Sequence, residues 1–156
     1  MTLNSEKVLD KISWNILREL QTDARLSYAE LGRRVGLTTP AVIERIKRLE
    51  EAEIIVGYHA EINFAKVGLP ILAFIRMNIV GVDFSQVIKT AQESPEVLEC
   101  HRGTGGDSFI FKVAVANVEH LQTIIDKFTP YGVTTTSIVL SSPVQRRIIE
   151  QKQKRG

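Results

Sequence analysis

Five bases crowd one short stretch of this chain: Arg33, Arg34, Arg45, Lys47 and Arg48, set against the single acid Glu44. Guanidinium and ammonium groups at that density suit phosphate, and arginine can also take the O6/N7 edge of guanine with two parallel bonds. A second cluster closes the chain, with Arg146, Arg147, Lys152, Lys154 and Arg155 against Glu150. The total is nearly neutral, 20 Lys and Arg against 18 Asp and Glu, a formal net charge of +2. The distribution of charge, not its sum, therefore points to a polyanionic partner. A solvated charged surface explains the clusters as well, so the elements that carry the bases must decide.

A second feature with chemical potential is the turn Gly103-Thr104-Gly105-Gly106-Asp107, followed by Ser108. Glycines leave backbone N–H groups uncovered, and such a loop can hold a carboxylate. Gly-Gly-Asp is equally common in a plain β-hairpin turn, and from the residues alone the hairpin is the simpler reading. His59, His101 and His120 have no metal-ligand spacing and fall on different expected elements. Cys100 stands alone, which excludes an intrachain disulfide and a cysteine-based zinc set, and it reads as a small core residue on a strand.

The elements behind the bases read as three helices. Leu9, Ile12, Ile16 and Leu20 recur at helical spacing, widened by Leu17. Ser27-Tyr28-Ala29-Glu30 has the form of a capping box, Leu31 and Val35 point inward, and Gly36 supplies a left-handed end. Thr38 or Thr39 caps the third helix, with Pro40 in its first turn. Val42, Ile46 and Leu49 form its inward stripe. Pro40, Ile43, Glu44, Lys47 and Arg48 share the opposite face, with Arg45 on the flank. A short capped helix, a tight turn and a third helix with a basic outer face fit a helix-turn-helix, whose last helix enters the DNA major groove. Lys47 and Arg48 are then placed for phosphates or guanine, and Thr38 and Thr39 for phosphates near the helix start.

After Ala52 the period changes. Ile54 to Tyr58 reads as a short strand, and Ala65 to Pro70 as a hinge. The remainder alternates: strand Leu72–Val80, helix from Phe84 to Ala91, strand Val97–Arg102, the glycine turn, strand Phe109–Ala116, helix from Leu121 to Phe128, strand Thr134–Leu140. That β-α-β-β-α-β order is the ferredoxin-like pattern. The expected class is α+β, with a helix-turn-helix domain over 1–53, a hinge strand and linker over 54–70, a second domain over 71–141 and a basic tail over 142–156. Met1 to Glu6 has no basic start or apolar run, so no secretory signal is expected. No stretch approaches the roughly 20 apolar residues of a membrane helix. A soluble, cytoplasmic protein is the expectation.

Leu9-Asp10, Ile16-Leu17, Leu20-Gln21, Asp23-Ala24-Arg25, Tyr28 to Gly32, Val35 to Thr38, Val42 to Glu50 and Ile55 to Tyr58 together resemble the Lrp/AsnC family of bacterial and archaeal regulators. The resemblance runs over nearly the whole chain. It implies a winged-type helix-turn-helix that binds double-stranded DNA through Thr38, Thr39, Pro40, Ile43, Glu44, Arg45, Lys47 and Arg48. It implies a second, RAM-type half that forms a homo-oligomer, a dimer building to a tetramer or octamer. That half binds an amino-acid effector between dimers, near the glycine turn. Here the effector set is Gly105, Gly106, Asp107 and Ser108, with Thr134 and Thr136 from the last strand. No metal, cofactor or catalytic residue is implied.

Three positions depart from the family pattern. Ser13 stands where an acid is frequent, Glu53 where glycine usually ends the third helix, and Ser108 where many members have aspartate. The serine argues against leucine-type recognition and for a small or polar effector. Two other readings compete: a nucleoid-like architectural protein without an effector, and an enzyme like the sirohaem decarboxylases related to this family, for which His101 and Arg102 would be the acting residues.

Overall fold

The computed structural model describes residues 8–79, 81 and 84–151. Val80, at the end of the expected first strand, and Lys152, Lys154 and Arg155 of the basic tail lie outside the described residues, as does Met1 to Glu6. The chain divides into two units, one reaching to Glu61 and including the residues from Val144, the other running from Ile62 to Pro143. This division differs from the expected one. The segment 54–61 belongs with the helices, and so does most of the tail.

The first unit has three helices: α1 (Lys11–Thr22), α2 (Tyr28–Val35) and α3 (Thr39–Glu51). Their apolar stripes meet in one core of Ile16, Leu31, Val42, Ile46 and Leu49, each at most 3% exposed. The Asp10 carboxylate caps α1 by accepting from the Ser13 N–H at 2.8 Å. Ser27 caps α2 by accepting from the Glu30 N–H at 3.1 Å. Only half of the expected capping box forms, because the Glu30 carboxylate is held instead by Arg33 and Arg34 at 2.7–2.9 Å. The turn between α2 and α3 is set by two glycines. Gly36 takes φ +74°, and a Cβ on Gly32 would stand 2.6 Å from the Leu37 carbonyl oxygen. Any side chain at Gly32 would therefore force the two helices of the motif apart.

Helix α3 ends in a Schellman motif. The Ile54 N–H bonds to the Leu49 carbonyl and the Glu53 N–H to that of Glu50, both at 2.9 Å. Glu53 occupies the left-handed position at φ +53°, alone among described non-glycine residues. The strand expected over Ile54–Tyr58 does not form. Ile54 and Ile55 bond back to α3 and pack on its core, and the segment beyond them pairs with no strand among the described residues. An extended segment becomes a strand only where a neighbour supplies its ladder.

The second unit begins with a short 3₁₀ turn, Phe64–Val67, then β1 (Ile71–Asn78), α4 (Phe84–Gln92), β2 (Val97–Arg102), β3 (Phe109–Val115), α5 (Val118–Phe128) and β4 (Val133–Ile138). The sheet is antiparallel in the order β2-β3-β1-β4, as the ferredoxin-like reading requires. Both helices cover one face. There Ala73, Ile75 and Met77 of β1 and Phe109, Phe111, Val113 and Val115 of β3 are fully buried against Val87 of α4 and Ile124 and Phe128 of α5. Stacked rings run through this core from Phe109 to Phe111 to Phe128, with centroids 5.8 and 4.5 Å apart. Leu72, Phe74, Arg76 and Ile110 point to the other face, which carries neither helix.

Candidate functional site

Helix α3 presents the outward-facing residues that its period predicts. Thr38, Thr39, Pro40, Ile43, Glu44, Lys47 and Arg48 are all exposed, opposite the buried Val42-Ile46-Leu49 stripe. The first turn of α3 holds no acid, and the Thr38 cap makes no side-chain bond to the helix. Its leading N–H groups and positive dipole end therefore remain open to an anion. Lys47 and Arg48 each pair with an acid one turn away, Glu51 at 3.7 Å and Glu44 at 3.0 Å. Both pairs are more than half exposed, so they hold little energy and a phosphate can replace the acid.

Arg45 behaves differently. Its guanidinium bonds to both oxygens of Asp10 at 2.8 Å and to the Ser13 hydroxyl at 3.1 Å. Through Nη1 alone it ties α3 to the start of α1. Ser13, 1% exposed, sits where the family often has an acid. Here Asp10, three residues earlier, supplies the carboxylate that Arg45 needs. Burial pushes the Asp10 carboxyl up, but the Ser13 N–H and Arg45 outweigh it and leave the group below the ordinary aspartate value. Arg34 is likewise committed inside the head, bridging Glu30 and Glu19 at 2.8 and 3.0 Å.

In the second unit the glycine loop joins β2 to β3. Gly103 to Gly106 are exposed, and Gly105 takes φ +98°. A Cβ on Gly106 would meet nothing within 4 Å, so the space above it is open. Asp107 lies 3.9 Å from Arg76. Ser108 is largely committed to the fold. Its N–H bonds to the Met77 carbonyl at 2.8 Å, its carbonyl accepts from Gly103 at 3.1 Å, and its hydroxyl accepts from the Ile79 N–H at 3.3 Å. Thr134 and Thr136 lie on β4 opposite Met77 and Ile75. Thr134 shares the loop's end of the sheet, but β1 separates them. At roughly 4.8 Å per strand spacing, Ser108 and Thr134 are about 10 Å apart, so one small ligand reaches both only by lying across the end of β1.

The sequence reading missed a groove on the other side of the loop. A cavity of about 360 Å³ opens between α4 and β2, lined by Ile88, Ala91, Gln92, Val97, Arg102 and Phe109 among others. Its one cation is Arg102, adjacent in sequence to Gly103, with its guanidinium carbon 4.5 Å from the centre of the Phe84 ring. Strand alternation aims Arg102 to the helix side, whereas His101 points to the open face and bonds Glu99 at 3.1 Å. The two residues named for the enzyme reading therefore point to opposite faces of the sheet. Cys100 is not the core residue expected. It is exposed on the edge strand β2 and lines the groove, where burial raises its thiol pKa. Among the described residues no cluster of three or more His, Cys, Asp or Glu could hold a metal, and no helix is long and apolar enough to cross a membrane.

Comparison with known proteins matches both units. Residues 9–50 fit the AsnC-type helix-turn-helix domain, and residues 72–149 fit the Lrp/AsnC ligand binding domain. The chain is 33% identical over 148 residues to the HTH-type transcriptional regulator LrpC of Bacillus subtilis, covering 95% of this chain and 99% of that protein. The solved structure of LrpC superposes with a TM-score of 0.84, over 88% of this chain and 99% of that one. A transcriptional regulator of Neisseria meningitidis, solved as a complex with L-methionine, also gives 0.84, at 26% identity over 90% of this chain and 96% of that one. With an AsnC-type helix-turn-helix domain over residues 9–50 and an Lrp/AsnC ligand binding domain over residues 72–149, the chain belongs to the Lrp/AsnC family of transcriptional regulators.

Proposed function

We propose that this regulator reads DNA through the exposed face of α3, works as a homo-oligomer, and responds to a small amino acid held at the glycine loop. In the DNA contact, Lys47 and Arg48 supply charge, Thr38 and Thr39 meet phosphates beside the helix N-terminus, and Pro40, Ile43 and Glu44 lie against the groove. Arg45 acts as the tether that fixes the angle of α3.

The observation that carries the effector reading is the exposed glycine loop, which begins one residue after Arg102 of the groove. Uncovered N–H groups of Gly105 and Gly106 suit an α-carboxylate. Asp107 is placed for the amine. Ser108 acts mainly through its backbone, and Thr134 and Thr136 define the far end of the site. A relative of the same fold bound to L-methionine supports the ligand class.

Oligomer formation is supported by two uncovered surfaces. One is the sheet face with Leu72, Phe74 and Ile110. The other is the extended segment after α3, where Val56, Tyr58 and Ile62 are exposed at every second or fourth residue, the period of a strand lacking its partner.

A melting-temperature screen against the twenty amino acids tests the proposal, since a ligand bound only to the native state adds about 2.7 kcal/mol at a hundred times its dissociation constant. Gly106→Val, which the open space above the loop tolerates, should keep the wild-type melting point and lose the shift. An unchanged shift in Gly106→Val would move the pocket elsewhere. No shift with any amino acid would favour an architectural protein.

A further inference from the structure

The chain passes between its two units twice, at Glu61–Ile62 and again at Pro143–Val144. The second passage follows β4 directly, and its continuation is bound to α1. The Gln21 side chain pairs with the backbone of Ile149 in both directions. Its Nε2 donates to the Ile149 carbonyl at 2.9 Å, and its Oε1 accepts from the Ile149 N–H at 2.8 Å. The second Nε2 hydrogen goes to the Leu17 carbonyl at 3.1 Å, so every polar atom of the amide is in use. A flipped amide would set its NH2 against the Ile149 N–H, so docking of the tail also fixes the orientation of the side chain.

Arg146 completes the attachment. Its guanidinium donates to the Gln21 carbonyl, one of the acceptors that the end of α1 leaves open. The last turn of α1, Glu19-Leu20-Gln21-Thr22, has no base of its own. Arg146 therefore supplies from 125 residues away the positive charge that a helix C-terminus favours. The same guanidinium lies 3.7 Å from Glu61, the last residue before the first passage. One side chain thus joins the end of α1 to both points where the chain leaves the head.

From this arrangement we infer that residues 144–151 are a strap. It holds the DNA-binding head by a second attachment beside the 54–61 segment, and it connects β4, which carries Thr134 and Thr136, to the end of α1. A head held at two points samples fewer orientations than one on a single linker. In an oligomer that raises the effective concentration of the second head once the first has bound DNA.

Backbone hydrogen exchange on the full-length protein reads the docking itself. Ile149 is largely exposed, so its amide is protected only if Gln21 holds it. In Gln21→Ala that amide should exchange on the order of tenfold or more faster. Gln21→Leu, which keeps the bulk of the side chain but can neither accept nor donate, should do the same and keeps the test open if Gln21→Ala fails to fold. Equal exchange rates in the wild type and these variants would overturn the strap. Binding to a mixed-sequence duplex of about forty base pairs reads its consequence, and this arm alone rests on the oligomer proposed above. Gln21→Ala and a chain ending at Pro143 should weaken binding by a similar factor, about three- to tenfold, and Gln21→Ala should leave the salt dependence unchanged. If truncation weakens binding and flattens its salt dependence while Gln21→Ala binds as wild type, the tail acts through charge alone and the strap is wrong.

Discussion

Replacing Glu53 by glycine should stabilise the head. At φ +53° the residue holds a conformation that costs an L side chain about 1–2 kcal/mol. Two Schellman hydrogen bonds and the packing of Ile54 on the core enforce it. Glycine removes that cost but gives the unfolded chain more freedom, which takes back about 0.4–1 kcal/mol. It also removes one negative charge beside Glu50 and Glu51 at the negative end of the helix dipole, worth about 0.3 kcal/mol at an exposed site. The net gain is about 0.3–2 kcal/mol, centred near 1 kcal/mol. Trp14, the single tryptophan, lies on α1, so its fluorescence in a urea titration reports the head. For a unit this small the slope is near 1 kcal/mol/M, which places the shift in midpoint at about 0.3–2 M upward, centred near 1 M. Glu53→Ala is the control. It removes the charge but keeps a side chain in the left-handed position, so it should gain no more than about 0.3 kcal/mol. A neutral or lower midpoint for Glu53→Gly, or equal gains for both variants, would refute the strain argument.

The Arg45 network gives two further expectations. Arg45→Ala should cost about 1–2 kcal/mol of head stability, because it removes a charge-assisted pair and leaves the buried Ser13 hydroxyl without its donor; the same Trp14 titration measures it. The salt slope of DNA binding should not change in Arg45→Ala, whereas a flatter slope would make Arg45 a phosphate contact. Asp10 titrates below its ordinary value in the folded head, so its contribution is complete above the usual aspartate range and is lost as pH falls through the lowered value. Stability of the head measured from neutral pH down to about pH 3 should therefore decline less steeply in Asp10→Asn, which keeps an oxygen to cap α1.

Much of this fold was legible because local chemistry and tertiary packing agree. The Val42-Ile46-Leu49 stripe, the Ser27 cap, the left-handed Gly36 and the alternation of Ala73, Ile75 and Met77 each specify an element that the core then buries. Glu53 was legible as an anomaly, since glycine is the residue that suits a left-handed helix end. Apart from Glu30, whose competing partners are local, the failures occur where a residue's partner is distant in sequence. Glu30 reads as half of a capping box, but two arginines on its own helix compete for the carboxylate. Ile54–Tyr58 has strand composition but finds no ladder among the described residues. The Arg102 groove depends on which face of an edge strand meets α4, and a bulge between Val97 and Glu99 shifts that register. The Gln21–Ile149 pairing spans 128 residues and carries no periodic signal. For the proposed effector site, the glycine loop is visible in the sequence, while the commitment of Ser108 to the sheet and the distance to Thr134 are products of topology.

The most direct test of the account is the salt dependence of DNA binding by Lys47→Ala/Arg48→Ala. If both side chains meet phosphate, the slope of log affinity against log salt should fall in magnitude by about 1.8, from roughly 0.9 per contact. The helical fold should persist, because both residues lie outside the core of Ile16, Leu31, Val42, Ile46 and Leu49. A double variant that keeps wild-type affinity and slope across the salt series would show that the exposed face of α3 is not the DNA-binding surface.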